Sequence, residues 1–407
     1  MRLPAHQVTT ANLGSAYPFM ASRTLNCTGS LIGRDLLGGA FYFDPFELYT
    51  KEQVSNTNVL VFGQIGRGKS ALVKSFLWRQ SVLGRQAWIV DPKGEYNSLA
   101  RLWGVSPIKI SRSSSVCLNP LDSRAGLSKD SQRSQFLATL GSACLGRPLS
   151  PTEHASAQLA LEGATQKVTT RQITISDVVN QLLEPSPTSA RSINTDVFTL
   201  AQMGRDLGLE LRRLVVGDLQ GMFDGQTSEE IDMRQSLVII DLSDLYESSA
   251  LGIVMSCCLS WLNSLIETQD NVKRYIVVDE AWAVLRDLSI ARWLQASWKL
   301  SRSRGLSNIA ILHRVSDLLA AGSQGSEQVA IASGLLSDSE TRIIYSQPPG
   351  EVDLSRQLLG LNSTEAELLI DLRRGRSLWK VGTRSFVVSH QLGSRERGLV
   401  DTDQRLR

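Results

Sequence analysis

Residues 61–76, VFGQIGRGKSALVKSF, place three glycines, a lysine and a serine between an apolar run and a helical pattern. Glycines let backbone N–H groups surround a phosphate, and the helix that follows adds a favourable dipole. Lys69 would bring positive charge to the β and γ phosphates of a nucleotide, and Ser70 would bind magnesium. The pattern G-x-x-x-x-G-K-S/T therefore predicts a phosphate-binding loop; a glycine-rich turn without a ligand is the alternative. The predicted nucleotide contacts are Gly63, Gly66, Arg67, Gly68, Lys69, Ser70 and Ala71.

A pair of acids follows the apolar run at residues 275–278, where a parallel strand would deliver carboxylates to the same edge of a sheet. Asp279 is predicted to hold magnesium through water, together with Ser70, and Glu280 to polarise the water that attacks the γ phosphate. For Glu280 the alternative is a surface acid at a strand end. Asp241 also ends an apolar run, but no glutamate follows it, so we assign it to the end of a neighbouring strand.

Two further apolar runs end in polar residues that would reach this edge. Asp91 and Glu95 lie in DPKGEY after the run AWIV, although a tight turn explains that segment equally well. His313 follows the run NIAIL, where a γ-phosphate sensor needs a hydrogen-bonding group; a structural histidine is the alternative. Arg302 and Arg304 could reach a phosphate of the same subunit or of a neighbour, and solvated surface charge explains them equally.

Short apolar runs alternate with helical patterns from residue 58 onward, which is typical of strands buried on both faces of a parallel sheet. We therefore predict an α/β fold whose core consists of residues 58–123 and 228–407. Residues 124–227 show helical patterns with few strand runs and are predicted to be an all-helical insertion. Residues 1–57 are rich in turns and short alternating stretches, and we predict that they form a small β lead-in.

Composition and charge exclude several classes of protein. The 407 residues are 42% hydrophobic and 20% charged, which is typical of a globular protein with one or two cores. The net charge of +3 does not indicate a nucleic-acid tail. The five cysteines lack the spacing of a zinc site or a disulfide framework. No apolar stretch reaches the roughly 18 residues of a membrane span, so we expect no direct span and a cytoplasmic location.

Taken together, GQIGRGKS, DPKGEY, VVDEAW and ILHR resemble the motifs of the HerA-FtsK superfamily of ring-forming P-loop ATPases. Within it, the set is most similar to the large cytoplasmic ATPase of type IV secretion and conjugation systems, the VirB-four type. The resemblance covers about residues 18 to 390. It implies a RecA-like core with a central, mainly parallel sheet, an all-helical insertion and a short N-terminal β segment, and it implies ATP and Mg²⁺ as ligands.

The resemblance further implies a homo-hexameric ring, peripheral at the inner face of the cell membrane, that works with the membrane components of a secretion machine. In such a ring Arg302, Arg304 or Arg342 would act on the nucleotide of a neighbouring subunit. The chain departs from the family at Leu312 and His313, where the family carries Thr-Gln, so His313 would have to replace a sensing glutamine. The family's long N-terminal domain is almost wholly absent, and we expect either a minimal motor or a fragment of a longer gene product.

Three functions stay open. The first is an ATP-hydrolysing motor of a type IV secretion or conjugative DNA transfer system. The second is a DNA translocase or helicase of the same superfamily that acts on plasmid DNA. The third is a nucleotide-gated assembly module with little turnover, which only the replacement of glutamine by His313 favours. The motifs do not distinguish whether DNA or protein is moved.

Overall fold

A computed structural model describes residues 25–112, 114–122, 130–217, 219–232, 235–248, 250–266, 272–285, 288–319 and 326–400. The strands in this part are β1 Ser30–Asp35, β2 Ala40–Phe43, β3 Val59–Phe62, β4 Gln86–Asp91, β5 Ile108–Lys109, β6 Leu237–Asp241, β7 Arg274–Val278, β8 Leu306–Leu312, β9 Thr341–Ile344, β10 Arg376–Val381 and β11 Arg384–His390. The helices are α1 Pro45–Thr50, α2 Lys69–Ser81, α3 Asn97–Trp103, α4 Asp130–Leu145, α5 Pro151–Lys167, α6 Ile175–Leu183, α7 Pro187–Ser192, α8 Val197–Arg212, α9 Leu251–Ile266, α10 Ala281–Leu285, α11 Leu288–Leu300, α12 Ser316–Leu319, α13 Glu327–Ser337, α14 Val352–Leu359, α15 Ser363–Asp371 and α16 Arg397–Val400.

Across the described ranges the strands form one 11-stranded sheet in the order β2-β1-β11-β10-β9-β3-β8-β7-β4-β6-β5. Neighbouring strands from β9 to β5 run parallel. The strands from β2 to β9 pair antiparallel and extend the sheet on one side. The predicted α/β fold with a central, mainly parallel sheet is therefore confirmed.

The apolar runs of the sequence form the middle of this sheet. Every residue of β3, β6, β7 and β8 is buried, because helices cover both faces of the parallel region. β8 lies between β3 and β7, so the end of β8 falls between the glycine-rich loop and the two acids. Asp241 pairs with Asp91 at the ends of β6 and β4, which confirms that Asp241 ends a neighbouring strand.

The antiparallel side of the sheet joins both ends of the described chain. β1 and β2 form an antiparallel hairpin within the predicted β lead-in, and β1 then pairs with β11. β9, β10 and β11 were not predicted from the sequence, because they mix polar with apolar residues. Residues 1–24 of the predicted lead-in lie outside the described part of the chain.

Trp379 of β10 holds the hairpin to the sheet, since its ring lies 5.1 Å from the rings of both Phe41 and Phe43. We expect Trp379→Ala to lower the free energy of unfolding by about 3–5 kcal/mol, because the indole is 1% exposed and truncation leaves a cavity. Urea unfolding followed by circular dichroism measures this change. Phe198→Ala is the control, since Phe198 is 73% exposed and should cost less than about 0.5 kcal/mol. Equal losses of unfolding free energy in Trp379→Ala and Phe198→Ala would contradict the role of Trp379 in holding the hairpin to the sheet.

Between β5 and β6 the described residues form the helices α4 to α8. Two of these helices begin with capping contacts: Ser150 Oγ accepts from the N–H of Glu153, and the carboxylate of Asp177 accepts from the N–H of Thr174. Gly208 lets α8 approach α6 closely, because a Cβ there would lie 2.8 Å from Leu183. Residues 124–129 and 218 of the predicted insertion lie outside the described part.

A membrane-spanning helix needs both length and apolar character. Among the helices that the structure describes, none has enough of both to cross a bilayer. The apolar helix α9, which is the nearest approach to such a segment in the sequence, instead contributes buried residues to the main hydrophobic core.

Candidate nucleotide site

The glycine-rich loop connects β3 to α2. Gly66 and Gly68 have φ values of 77° and 112°, which side chains with a Cβ adopt at a cost. At Gly63 a Cβ would collide with the Cβ of Tyr345, so the loop can pack against that residue only with glycine. Gly68 is the N-cap of α2 and brings no side-chain acceptor to the N–H groups of the first turn. These donors, with the helix dipole behind them, suit an anion.

Lys69 is buried in this loop, with 6% of its surface exposed. Its ammonium donates to the carbonyl oxygens of Gly63 and Gln64 and lies 3.2 Å from Nδ1 of His313. Burial lowers the pKa of Lys69 to about 8, although the negative charges of the two acids after β7 oppose this shift. Because this pKa lies above neutral pH, Lys69 keeps its positive charge at the centre of the loop.

Asp279 and Glu280 follow β7 at the same edge of the sheet. Glu280 has a φ of 54°, a left-handed conformation that is uncommon outside glycine, and its N–H donates to Asp279 at 2.9 Å. Burial raises the pKa of Asp279 to about 7, and the nearby carboxylates of Glu95, Glu280 and Asp91 act in the same direction. The carboxylates are thus crowded where a cation would neutralise them.

The carboxylate of Glu280 is 2% exposed and has three neighbours that can donate to it. One oxygen contacts the ammonium of Lys93 and lies 2.8 Å from Nε2 of His313, and the other accepts from the indole N–H of Trp282. Burial alone would raise the pKa of Glu280, but the hydrogen bonds from His313 and Lys93 outweigh it and hold the pKa at about 2. Glu280 is therefore ionised at neutral pH.

His313 lies between the loop and the acids, because β8 lies between β3 and β7. The ammonium of Lys69 can only donate, so Nδ1 of His313 is the acceptor and Nε2 carries the proton that faces Glu280. A continuous chain of polar contacts thus runs from Lys69 through His313 to Glu280. The structure places His313 in the site, as the strand-end position predicts, rather than among apolar side chains.

Asp91 and Glu95 have different places in the DPKGEY turn. The carboxylate of Asp91 is 1% exposed and accepts from the N–H groups of Lys93, Glu95 and Tyr96. Burial raises the pKa of Asp91 to about 6, although the N–H groups of Tyr96 and Glu95 lower it in part. Asp91 therefore shapes the turn that presents Lys93, whereas Glu95 lines the cavity beside Ser70.

Two adjoining cavities receive these side chains. A cavity of about 220 Å³ lies against Ser70, Glu95 and Asp279, and a wider one of about 780 Å³ opens in front of Glu280. Serine and carboxylate oxygens are ligands that suit Mg²⁺, which commonly takes one or two carboxylates and completes its shell with water and phosphate oxygens.

The predicted arginines lie elsewhere. Arg302 and Arg304 precede β8, at the edge of the sheet opposite to the loop. Arg302 and Arg342 line a separate cavity of about 890 Å³. The guanidinium of Arg342 donates to the carbonyl oxygens of Leu359 and Leu336, so it joins β9 to two helices. The structure therefore does not bring these arginines to the glycine-rich loop of their own chain.

Some residues at the site were not singled out from the sequence. Arg374 lines both cavities, and its neighbour Gly375 donates an N–H to the carbonyl oxygen of Arg67 at 3.0 Å. Lys93 and Trp282 contact Glu280 directly. Lys93 and Trp282 stand inside the motifs DPKGEY and VVDEAW, which is a signal that could have identified them. Arg374 lies in none of the sequence motifs. It reaches the loop because it lies just before β10 on the antiparallel side of the sheet.

Comparison with known proteins identifies the fold. No family model matches the chain. The structure of VirB4 of Thermoanaerobacter pseudethanolicus superposes with a TM-score of 0.73 and 22% identity, over 91% of this chain and 99% of that one. The bacterial conjugative coupling protein TrwB, in the form TrwBdeltaN70, gives a TM-score of 0.64 at 13% identity, over 95% of this chain and 94% of that one. The plasmid coupling protein TrwB in complex with ADP and Mg²⁺ gives 0.60 at 13% identity, over 91% and 92%.

One curated relative matches in sequence. The type IV secretion system protein CagE of Helicobacter pylori is 22% identical over 177 residues, which is 43% of this chain. The match spans 17% of the length of CagE. The resemblance that the motifs predict is thus confirmed at the level of the fold. The chain has the RecA-like P-loop NTPase fold that VirB4 and TrwB share.

Proposed function

We propose that this chain is the ATP-hydrolysing motor of a type IV secretion or conjugative transfer system, in which hydrolysis in a ring drives substrate transfer or machine assembly. The observation that carries the proposal is the contact chain from Lys69 through His313 to Glu280, in a cavity beside Ser70 and Asp279. The fold likeness to VirB4 and TrwB, and the partial sequence match to CagE, favour this class of machine.

In the proposed site the loop holds the phosphates of ATP. The predicted contacts are Gly63, Gly66, Arg67, Gly68, Lys69, Ser70 and Ala71. Lys69 would exchange the carbonyl oxygens that it now contacts for oxygens of the β and γ phosphates. Ser70 and Asp279 would hold Mg²⁺, Asp279 through water. When bound, Mg²⁺ neutralises charge that develops on the phosphate oxygens.

Glu280 is the proposed catalytic residue that orients the attacking water. Its carboxylate is ionised and lies at the wall of the wider cavity, where water has access. The N–H of His313 donates to this carboxylate and keeps it directed toward the phosphate end of the cavity. His313 therefore takes the place of the family's sensing glutamine, because it contacts both the phosphate-binding Lys69 and the catalytic Glu280.

A ring provides the remaining part of the proposal. Arg302 and Arg304 lie far from the loop of their own chain, so they are candidates for contact with a neighbour's nucleotide. Arg342 is the weaker candidate, since its guanidinium is already bound to two carbonyl oxygens.

We propose the boundaries 58–123 and 228–407 for the core and 124–227 for the insertion. We propose that the chain lies at the inner face of the cell membrane, where its partners are the membrane components of the machine.

The test of this proposal is phosphate release from Mg-ATP by the purified chain, with particle mass measured with and without ATP, Mg²⁺ and single-stranded DNA. We expect turnover and an ATP-dependent shift from monomer to hexamer. Binding of ATP without phosphate release would instead support a nucleotide-gated assembly module. The contacts of Glu280 with Lys93 and His313 are the observation that favours this alternative, since they occupy the catalytic carboxylate.

A DNA translocase or helicase is the second candidate. The likeness to TrwB, which is named a plasmid coupling protein, favours it. A DNA motor neutralises phosphates with Lys and Arg, so stimulation of its ATPase by DNA should fall steeply with salt. We expect the secretion motor to show weak stimulation with a shallow salt dependence. Strong stimulation that disappears at high salt would favour the translocase.

His313→Ala is expected to lower kcat for ATP hydrolysis by about tenfold, because Glu280 loses a hydrogen bond that directs it. His313→Gln should keep more of the activity, since an amide can accept from Lys69 and donate to Glu280. Steady-state phosphate release measures both variants. His154→Ala is the matched control, since His154 lies on α5 and away from both cavities. Wild-type turnover in His313→Ala would contradict a role for His313.

A further inference from the structure

Lys93 lies on the DPKGEY turn, at the carboxyl end of β4. Its ammonium contacts the carboxylate of Glu280 and lies 3.4 Å from Nε2 of His313. Asp91 fixes the backbone of the turn by accepting from its N–H groups. The side chain of Lys93 is 23% exposed and lines both cavities. The turn is thus held in place, while the ammonium lies where it can reach a ligand.

Two lysines therefore flank His313. Lys69 contacts Nδ1 from the side of the loop, and Lys93 lies near Nε2 from the side of the wider cavity. Lys69 is almost completely buried, whereas Lys93 is near the opening. A nucleotide whose phosphates follow the loop would bring its terminal phosphate into the space that these two ammonium groups border.

We propose that Lys93 is a second phosphate-binding lysine that recognises the γ phosphate and exchanges its contact with Glu280 for that phosphate when ATP is bound. This inference rests on the proposed function and deepens it. With ADP there is no γ phosphate to reach, so Lys93 stays with Glu280. With ATP, Glu280 keeps the N–H groups of His313 and Trp282 and is released from its ion pair.

The exchange would couple nucleotide state to catalysis. A carboxylate that is paired with an ammonium is a poorer acceptor for the proton of water, because the cation stabilises its charge. Transfer of Lys93 to the γ phosphate removes that stabilisation only when the substrate is in place. Lys93 would then also stabilise the negative charge that spreads over the phosphoryl oxygens.

The test compares the affinities of Mg-ADP and Mg-ATPγS for the wild-type chain and for Lys93→Met, by isothermal titration calorimetry. We expect the substitution to weaken binding of ATPγS about tenfold, as for loss of one charge-assisted hydrogen bond, and to change ADP binding less than about twofold. Retained ADP binding also shows that the variant is folded. Equal weakening for both nucleotides, or no change for either, would overturn the proposal.

A double-substitution cycle with Glu280→Gln gives a second measurement. Glu280→Gln removes the competing partner of Lys93, so the preference for ATPγS over ADP should rise about threefold above wild type. In Lys93→Met/Glu280→Gln the preference should fall back to that of Lys93→Met. A preference in the double variant as high as in Glu280→Gln would overturn the exchange of partners.

Lys109→Met is the matched control, since it removes a lysine that pairs with Asp244 at the surface and lies outside both cavities. It should leave both affinities unchanged. Failure of the wild-type chain to bind either nucleotide would overturn the proposed function and the role of Lys93 together. Binding of both nucleotides with no selective effect of Lys93→Met would overturn the role of Lys93 alone.

Discussion

Glu280→Gln is expected to lower kcat for ATP hydrolysis by about 100- to 1,000-fold while nucleotide binding persists. Glutamine has nearly the same shape, so it keeps the donors Trp282 and His313 near it. It lacks the negative charge that polarises water, and its amide cannot accept a proton. The loss should therefore appear in the chemical step, with KM changed much less than kcat.

Steady-state phosphate release at saturating Mg-ATP measures this loss, and calorimetric binding of Mg-ATP to the variant measures retained affinity. Glu327→Gln is the control, because Glu327 forms a surface ion pair with Arg292 and both side chains are about half exposed. It should keep the wild-type rate. A wild-type rate in Glu280→Gln would remove Glu280 from the mechanism and would revive its interpretation as a surface acid, against its 2% exposure.

The central strands could be predicted because their signal is local. A strand that is buried on both faces must be apolar at each position, and β3 and β8 are apolar runs followed by polar residues. The loop could be predicted for the same reason, since its glycines, lysine and serine are contiguous. Such features can be recognised in the sequence without knowing which strands are neighbours.

The contacts of the site could not be predicted in this way, because they depend on strand order. His313 meets both Lys69 and Glu280 only because β8 is placed between β3 and β7. From residue type alone, a structural histidine is the favoured interpretation. The ion pair between Lys93 and Glu280 likewise requires β4 and β7 to be neighbours, which no local pattern states.

The antiparallel side of the sheet shows a second limit of local patterns. β9 has four residues and includes Arg342, so its sequence resembles a loop more than a strand. Its place becomes clear only from its pairing with β3 and β10. In this position the guanidinium of Arg342 has two carbonyl partners, which charge and spacing alone do not indicate.

Lys69→Ala is expected to weaken Mg-ATP binding by about 10- to 100-fold and to bring turnover close to background. The ammonium of Lys69 is the buried positive charge at the centre of the loop, and its helix begins at the same residue. Without the ammonium, the N–H groups of the loop can still donate hydrogen bonds to the phosphates. The positive charge that Lys69 brings to those phosphates is then lost. Phosphate release and calorimetric titration with Mg-ATP measure the two effects.

The two variants together separate binding from chemistry. Lys69→Ala should lose affinity and turnover together, whereas Glu280→Gln should lose turnover alone. Lys51→Ala is the matched control for the lysine, because Lys51 forms a partly exposed i,i+4 pair with Glu47 far from the loop. If Lys69→Ala bound Mg-ATP as tightly as the wild type, the phosphates would have to lie elsewhere. The contact chain from Lys69 through His313 to Glu280 would then be a structural network beside a site that the loop does not form.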